Sequence, residues 1–451
     1  MPVVSFALCY SAGAVDESFG ETGAAHLLEH MLFKGTPSIG TKDFDAEKPL
    51  IRQIHDVGIM LDKLEREGAT DNNSRVVSLR RKLSALQEQH NRLLNANELD
   101  AVYARHGAEG FNASTGFDIT TYTVSLPANR VELWARIESE RFAQPVFRQY
   151  FIERNIVLEE LRQNYESRPE RLLLSHILST AFFAHPYGRP IIGWPSDIKY
   201  LSPDACERFF KTHYTPNRAV AAIVGDVNPD SVYAIVRRYF GKHPAAHATD
   251  IRAITIEPGQ KGERRVIVEA DAEPLLIVAY HKPTLPHPDD TVFDVIDALL
   301  TAGRSSRLYK RLVTELRIAS QVETMNGFPG ARYPNLFLIK IAPHRSISYT
   351  KVEQALYHEL NRLWNEAIPP HELETAKKQI RSDLMRRMQS NDELADLLSY
   401  YQTIAGDWRY IDKNLERIEN VTTINIQAVA KRYFTASNRT VGMLKNKNDH
   451  D

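Results

Sequence analysis

Cysteine is nearly absent from this chain, with two in 451 residues, Cys9 and Cys206. Two thiols make neither a disulfide framework nor a thiolate zinc site. Both read as small buried apolar residues, and the redox compartment stays open. A charge excess of either sign is also missing. The 56 Lys and Arg stand against 57 Asp and Glu, for a net charge of −1, which argues against a nucleic-acid binder. Long apolar runs are absent too: stretches such as Ala219–Val224 and Pro274–Tyr280 are far too short to span a bilayer. Met1-Pro2 leads straight into Val3–Leu8 without a basic region or a small-residue cleavage site, so no signal peptide is expected. A domain that opens on a strand is expected to have lost an N-terminal piece. The compartment is then periplasmic if an export signal went with that piece, and cytoplasmic otherwise.

What is present looks globular. Hydrophobic residues make up 43% and charged residues 25% of the chain, and the length predicts two or three domains at about 100–200 residues each. The run Val3–Tyr10 reads as a strand, Ala24–Phe33 as an apolar helix behind a glycine-punctuated loop. Residues 43–100 have another texture. Ile54, Val57, Leu61 and Leu64 follow helical spacing, and after the polar break Gly68–Ser74 so do Leu79, Leu83, Leu86, His90 and Leu93. This predicts an antiparallel αα-hairpin with a narrow apolar seam, a coiled-coil-like protrusion or, alternatively, a docking arm for a partner. Strands are expected at Gly110–Ser114, Thr120–Leu126 and Ala219–Val224. Helices are expected over Glu132–Glu166 (broken near Gln144-Pro145-Val146), 169–183, 203–212 and up to Tyr239. Gly241–Thr249 is the linker candidate.

An internal repeat supports a cut there. His213-Tyr214-Thr215-Pro216-Asn217-Arg218 resembles Tyr433-Phe434-Thr435-Ala436-Ser437-Asn438-Arg439, each closing a helix and opening a strand. Leu276–Tyr280, Val292–Leu300 and Gly303 mirror Val3–Tyr10, the first helix and Gly35. The first copy is longer by about the hairpin, which reads as an insertion. The expected fold is α+β with two tandem homologous domains, 1–245 carrying the inserted hairpin (43–100) and 250–451 following.

The chemistry lies in His26-Leu27-Leu28-Glu29-His30. On a helix turning about 100° per residue, His30 lies about 40° from His26, so both imidazoles leave one face. Two neutral imidazoles can hold zinc while the carboxylate of Glu29 reaches a water beside it. A catalytic zinc needs a third protein ligand. In Glu153-Arg154-Asn155-Ile156-Val157-Leu158-Glu159-Glu160, Glu153 and Glu160 share one stripe of a helix. Glu160 is the expected ligand and Glu153 the group that orients it or a histidine. Taken alone, that acidic stripe reads as a solvated face.

His-x-x-Glu-His followed by Glu-Arg-x-x-Val-x-x-Glu resembles the pitrilysin/insulinase/mitochondrial-processing-peptidase family of inverzincin peptidases. His30–Thr36, Phe111-Asn112-Ala113 and His185–Pro190 with Gly193 extend the likeness along the chain. The resemblance implies mostly antiparallel sheets packed with helices, one zinc per chain held by His26, His30 and Glu160, and Glu29 as general base. It also implies that Asn112 and Ala113 lie on an edge strand that receives substrate as an added β-strand. His185 reads as structural.

Against the family pattern, this chain has a longer gap from His30 to Glu160, which the hairpin accounts for, and no strand before Val3. It also lacks an Arg and a Tyr seven residues apart that the family uses to donate hydrogen bonds to the substrate carbonyl. Val313 and Ser320 occupy those positions. The family's four-domain clamshell is built from one long chain or two half-length chains. The resemblance therefore implies a heterodimer whose other, zinc-free subunit supplies the Arg/Tyr pair. A homodimeric peptidase and a non-catalytic structural subunit are the competing readings.

Overall fold

The computed structural model describes residues 2–244 and 254–446; the expected linker Gly241–Thr249 lies outside the described residues from position 245 onward. The chain forms two compact units, Met1–Glu160 with Ile191–Arg252, and Leu161–Pro190 with Ala253–Asp451.

In the first unit, β1 (Val3–Tyr10), β2 (Glu109–Thr115), β3 (Thr120–Pro127) and β4 (Ala219–Gly225) form an antiparallel sheet in the order β2-β3-β1-β4. β1 is central and buried from Val4 to Tyr10, which is why its apolar run is continuous instead of alternating. β3 alternates buried and half-buried residues, and β2 is an exposed edge. The helices are α1 (Ala24–Leu32), α2 (Phe44–Arg66), α3 (Ser74–Asn91), α4 (Glu98–Arg105), α5 (Val131–Ala143), α6 (Tyr150–Leu161), α7 (Pro169–Ala181), α8 (Pro195–Lys199), α9 (Pro203–His213) and α10 (Pro229–Phe240). Of these, α7 belongs to the second unit. Phe6 stacks on Trp134 at 4.6 Å and Tyr10 on Tyr214 at 4.2 Å, fastening helices to the sheet. Cys9 and Cys206 are both buried, and neither is in a disulfide. The long helix expected over Glu132–Glu166 is split into α5 and α6 at the expected break, where Gln149 adopts a positive φ of 57°.

The αα-hairpin is present as α2 and α3, with Ile54, Val57, Leu61, Leu86 and His90 buried along its seam. It is not a protrusion. α2 lies along the unit: a Cβ on Gly58 would overlap the Phe151 ring, and the Arg66 guanidinium donates to the Tyr200 carbonyl at 2.8 Å. Seam spacing reports how two helices face each other and is silent about what else one of them covers.

The second unit repeats the sheet. β5 (Arg264–Glu269), β6 (Leu275–Lys282), β7 (Ala319–Phe328), β8 (Asn335–Pro343) and β9 (Arg439–Lys445) lie in the order β5-β9-β6-β8-β7, with only β5 and β9 parallel. Thus β7, β8, β6 and β9 correspond to β2, β3, β1 and β4, and β5 has no counterpart among the described residues. The register agrees as well. Tyr10 faces Thr120, which faces Thr115; Val278 faces Ile339, which faces Thr324. The offset from Tyr10 to Val278 equals that from Gly35 to Gly303, so the front half of the repeat aligns in space. Around the sheet lie α11 (Pro288–Thr301), α12 (Tyr349–Asn365), α13 (Pro370–Arg387), α14 (Asn391–Ala405), α15 (Tyr410–Glu419) and α16 (Thr423–Tyr433).

A cut at 245/250 separates the two sheets, but it does not divide the compact units. Leu161–Pro190 packs with the second. There Leu173 and Ile177 of α7 press against the bare backbone of Gly442 in β9, and the Arg264 guanidinium donates to the carbonyls of Thr180 and Ala181 at 2.8 and 2.6 Å. An apolar helix face goes where a sheet accepts it, irrespective of sequence order.

Candidate metal centre

The site is built on α1 and α6. α1 begins at Gly23, whose φ of +90° and a Cβ position only 2.5 Å from the Ile192 carbonyl oxygen leave room for glycine alone. The buried carboxylate of Glu17 accepts from the Gly23 and Ala25 amides at 3.0 and 2.9 Å, satisfying donors that a helix start leaves open. At the other end, buried Arg141 donates to the Leu32 carbonyl at 3.0 Å while Glu138 neutralises it at 2.6–2.7 Å. Leu27, Leu28 and Met31 are fully buried, so the opposite face of α1 is fixed in direction. It carries His26, Glu29 and His30.

That face meets α6. His26 Nε2 and Glu160 Oε2 are 3.1 Å apart, and His30 Nε2 lies 3.7 Å from the same oxygen. Ligand atoms of His26, His30 and Glu160 all lie within 4.8 Å of one another, the one such group of metal-ligating type among the described residues. A tetrahedral zinc with bonds of about 2.0–2.2 Å separates its ligand atoms by roughly 3.3–3.6 Å. Two imidazoles and one carboxylate at these spacings are a donor set that fits it.

Charge explains why the cluster coheres. Burial pushes His26 toward the neutral form, but the hydrogen bond to Glu160 and the Glu29 carboxylate 3.8 Å from Nδ1 outweigh it and raise the imidazole to about 9. Burial would raise the Glu29 carboxyl; the nearby His26 imidazole and the hydrogen bond from Thr115 hold it below the usual range instead. Glu153 sits behind the site, 3.4 Å from His30 Nδ1 and 2.5 Å from Lys34 Nζ. It too is held low, since those two partners overcome the opposing effect of burial. The spacing that separated Glu160 from Glu153 thus has a geometric counterpart: one carboxylate meets the Nε2 atoms, the other the far side of His30.

Asn112 and Ala113 lie on the edge strand β2, opposite Thr123 and Tyr122. The same strand ends at Thr115, whose hydroxyl donates to Glu29 Oε2 at 2.5 Å. The edge therefore runs beside the cluster. Sequence spacing did not single out Thr115, Lys34, Glu17 or Arg141. Thr115 has a signal in retrospect, because it continues the Phe111-Asn112-Ala113 segment by two residues along the strand. His185 accepts from the Tyr187 amide at 3.1 Å and packs against Tyr187 and Tyr333, and burial lowers it to about 4. That is a packing role.

Among the described residues the second unit carries no such donor set. At the repeat offset, His26, Glu29 and His30 map to Asp294, Asp297 and Ala298 of α11. Burial raises the Asp297 carboxyl, with Thr324 acting against that rise as Thr115 does at Glu29. Asp294 accepts from Asn326 at 2.7 Å and Asn414 at 3.2 Å. Burial, with Asp290 nearby, raises Asp294 to about 7. A folded-state value above the unfolded one stabilises the fold fully below about pH 4 and loses that contribution as pH climbs through 7. Thermal melts from pH 4 to 8 are expected to show wild type losing stability relative to Asp294→Asn over that window; parallel curves would remove Asp294 as the cause.

No helix among the described residues is long and apolar enough to cross a membrane. Two sequence models of one family match the chain: "Insulinase (Peptidase family M16)" over residues 1–53 and 90–194, and "Peptidase M16 inactive domain" over 200–380. The gap between the first model's two segments, 54–89, falls on the αα-hairpin. The zinc protease PqqE of Helicobacter pylori is 24% identical, over 98% of this chain and 88% of that protein. A probable mitochondrial-processing peptidase subunit beta of Arabidopsis thaliana is 23% identical, over 94% and 70%. Among solved structures, a protease from Helicobacter pylori shares the fold with a TM-score of 0.81 at 23% identity, over 99% of this chain and 95% of that one. The periplasmic protease PqqL of Escherichia coli does so with a TM-score of 0.71 at 17% identity, over 98% of this chain but 45% of that one. With family models matching both halves of the chain and the fold shared from end to end, this protein belongs to the insulinase (M16) family of zinc peptidases, that of pitrilysin and the mitochondrial processing peptidase.

Proposed function

We propose that this chain is the metal-bearing subunit of a zinc endopeptidase that cleaves unstructured peptides. The observation that carries the reading is the convergence of His26, His30 and Glu160 beside Glu29 and a free strand edge. His26 Nε2, His30 Nε2 and Glu160 would hold one zinc per chain. The ion would supply Lewis acidity, polarising a peptide carbonyl and easing loss of a proton from water. Glu29 takes that proton and delivers it to the leaving amine. Its bond to Thr115 keeps one carboxylate oxygen anchored while the other is left for the water. Glu153, charged and paired with Lys34, fixes the His30 ring through Nδ1. The backbone of β2 at Asn112 and Ala113 pairs with an extended substrate, which favours unfolded chains over folded ones and gives weak sequence preference.

Two features support reading the chain as half of a four-domain, heterodimeric enzyme. Val313 and Ser320 stand where the family carries its carbonyl-binding Arg and Tyr, and the chain spans 45% of full-length PqqL. The same substitutions favour the rival reading, a non-catalytic structural subunit.

The test is metal content with turnover. Purified protein should carry about one zinc per chain, His26→Ala should carry almost none, and cleavage of an unstructured peptide should stop with chelator and return with zinc. Wild-type protein that is folded and takes no zinc would overturn the proposal. Bound zinc without turnover, alone or with a homologous subunit, would leave the structural reading in its place.

A further inference from the structure

Buried ion pairs tie the hairpin α2–α3 to α6 and, through Arg148, to the loop that follows α1. Asp62 near the end of α2 binds Arg154 of α6 in bidentate fashion at 2.6 and 2.9 Å, and Arg154 also donates to the Leu201 carbonyl at 3.1 Å. Arg154 directly follows Glu153 and lies six residues before Glu160 on the same helix. At the other end of α2, Glu47 receives Arg148 at 2.7 and 3.1 Å and His90 of α3 at 2.8 Å, with all three side chains at most 2% exposed. The remaining donors of Arg148 reach the carbonyls of Lys34, Thr36 and Ile39 at 2.8–3.0 Å. That is the loop by which α1 leaves the site, and its Lys34 is the residue that holds Glu153. Between these anchors Gly58 admits the Phe151 ring against the helix backbone. Much of α3 away from the seam faces solvent.

We infer that the hairpin is a brace that sets the spacing of the two metal-binding helices, with Asp62, Arg154, Glu47 and Arg148 as positioning residues. It acts on the metal centre from within the chain. The physical reason is the geometry of the donors. His26 and His30 are fixed to each other by one helix turn, but Glu160 comes from α6, so the third distance depends on how α1 and α6 are held relative to each other. A buried bidentate arginine–carboxylate pair is directional and resists sliding. Altering the groups that orient metal ligands typically costs about 10–100-fold in metal affinity. The inference rests on the metal reading above.

The experiment measures zinc affinity by chelator competition, together with the visible spectrum of the cobalt(II)-substituted protein, on wild type and folded variants. Asp62→Asn and Glu47→Gln are each expected to weaken zinc about 10–100-fold and to change the cobalt band shape, with Asp62→Glu recovering part of the affinity. Removing one partner of a buried pair risks unfolding. Asp62→Leu combined with Arg154→Met leaves no unpaired charge, so it keeps the test open, and it too is expected to lose at least about tenfold. Arg81→Glu on α3 serves as a control and should match wild type. Wild-type affinity and spectrum in the folded Asp62 and Glu47 variants and in the double variant would overturn the brace alone. Failure of wild type to bind zinc would overturn the metal reading and the brace with it.

Discussion

Glu29→Gln is expected to leave zinc bound and to lower peptide cleavage by about 10²–10⁴-fold, the range a positioned general base contributes. The amide has the shape of the carboxylate, can still accept from the Thr115 hydroxyl, and leaves His26, His30 and Glu160 untouched. What it loses is proton affinity. Held below the usual carboxylate range by His26 and Thr115 against the pull of burial, Glu29 is ionised at neutral pH and ready to accept. The check is kcat with an unstructured fluorogenic peptide alongside zinc content for both proteins. A variant that keeps its metal and at least a tenth of the wild-type rate would remove Glu29 from the role of base. A variant that loses its metal would show that Glu29 holds the site together, and the test would then pass to Glu29→Asp.

The second large effect concerns the missing pair. Each transition-state hydrogen-bond donor removed typically costs about 10²–10³ in kcat. With Val313 and Ser320 in place of Arg and Tyr, this chain alone is expected to be slow, and a homologous subunit carrying the pair should raise kcat by at least about 10² at saturation. The side chains present cannot substitute. Val313 is packed against the apolar core of the second unit, and the Ser320 hydroxyl is turned to the Ala342 carbonyl at 3.3 Å. Titrating the partner at fixed enzyme concentration should give a saturating rise in rate. Replacing the partner's Arg or Tyr should abolish the rise while leaving assembly intact. A chain that turns over as fast alone as with the subunit would sink the heterodimer and favour the homodimer or a self-sufficient enzyme.

The pentad, the Glu153/Glu160 stripe and the edge strand were legible because each is written in local periodicity: two histidines one turn apart, two glutamates two turns apart, a strand-forming run. Their mutual approach was not written there. Glu160 stands 130 residues beyond His30, and only the motif's chemistry suggested the pair. Thr115 and Lys34 escaped because a single threonine or lysine carries no pattern; each acquires a role from what the fold sets opposite it. Glu17 and Arg141 escaped for the same reason, since caps are recognised by sequence when adjacent to the helix and not from several residues or a whole sheet away. The hairpin was half legible. Its seam followed from heptad-like spacing, whereas the side packed on α6 uses a glycine and buried charges, which composition marks as solvent-facing.

The passage of Leu161–Pro190 into the second unit gives the molecule a laced topology. The backbone crosses from one unit to the other after Glu160, returns after Pro190, and crosses again after Arg252. A single break, even in the segment 245–253, cannot yield two complete units, because the amino-terminal fragment keeps α7 and the carboxy-terminal fragment keeps the sheet on which α7 rests. Each fragment would then hold a surface that only the other covers. Glu160 is the last residue of the first unit's opening segment, so the first crossing begins directly behind the expected metal ligand.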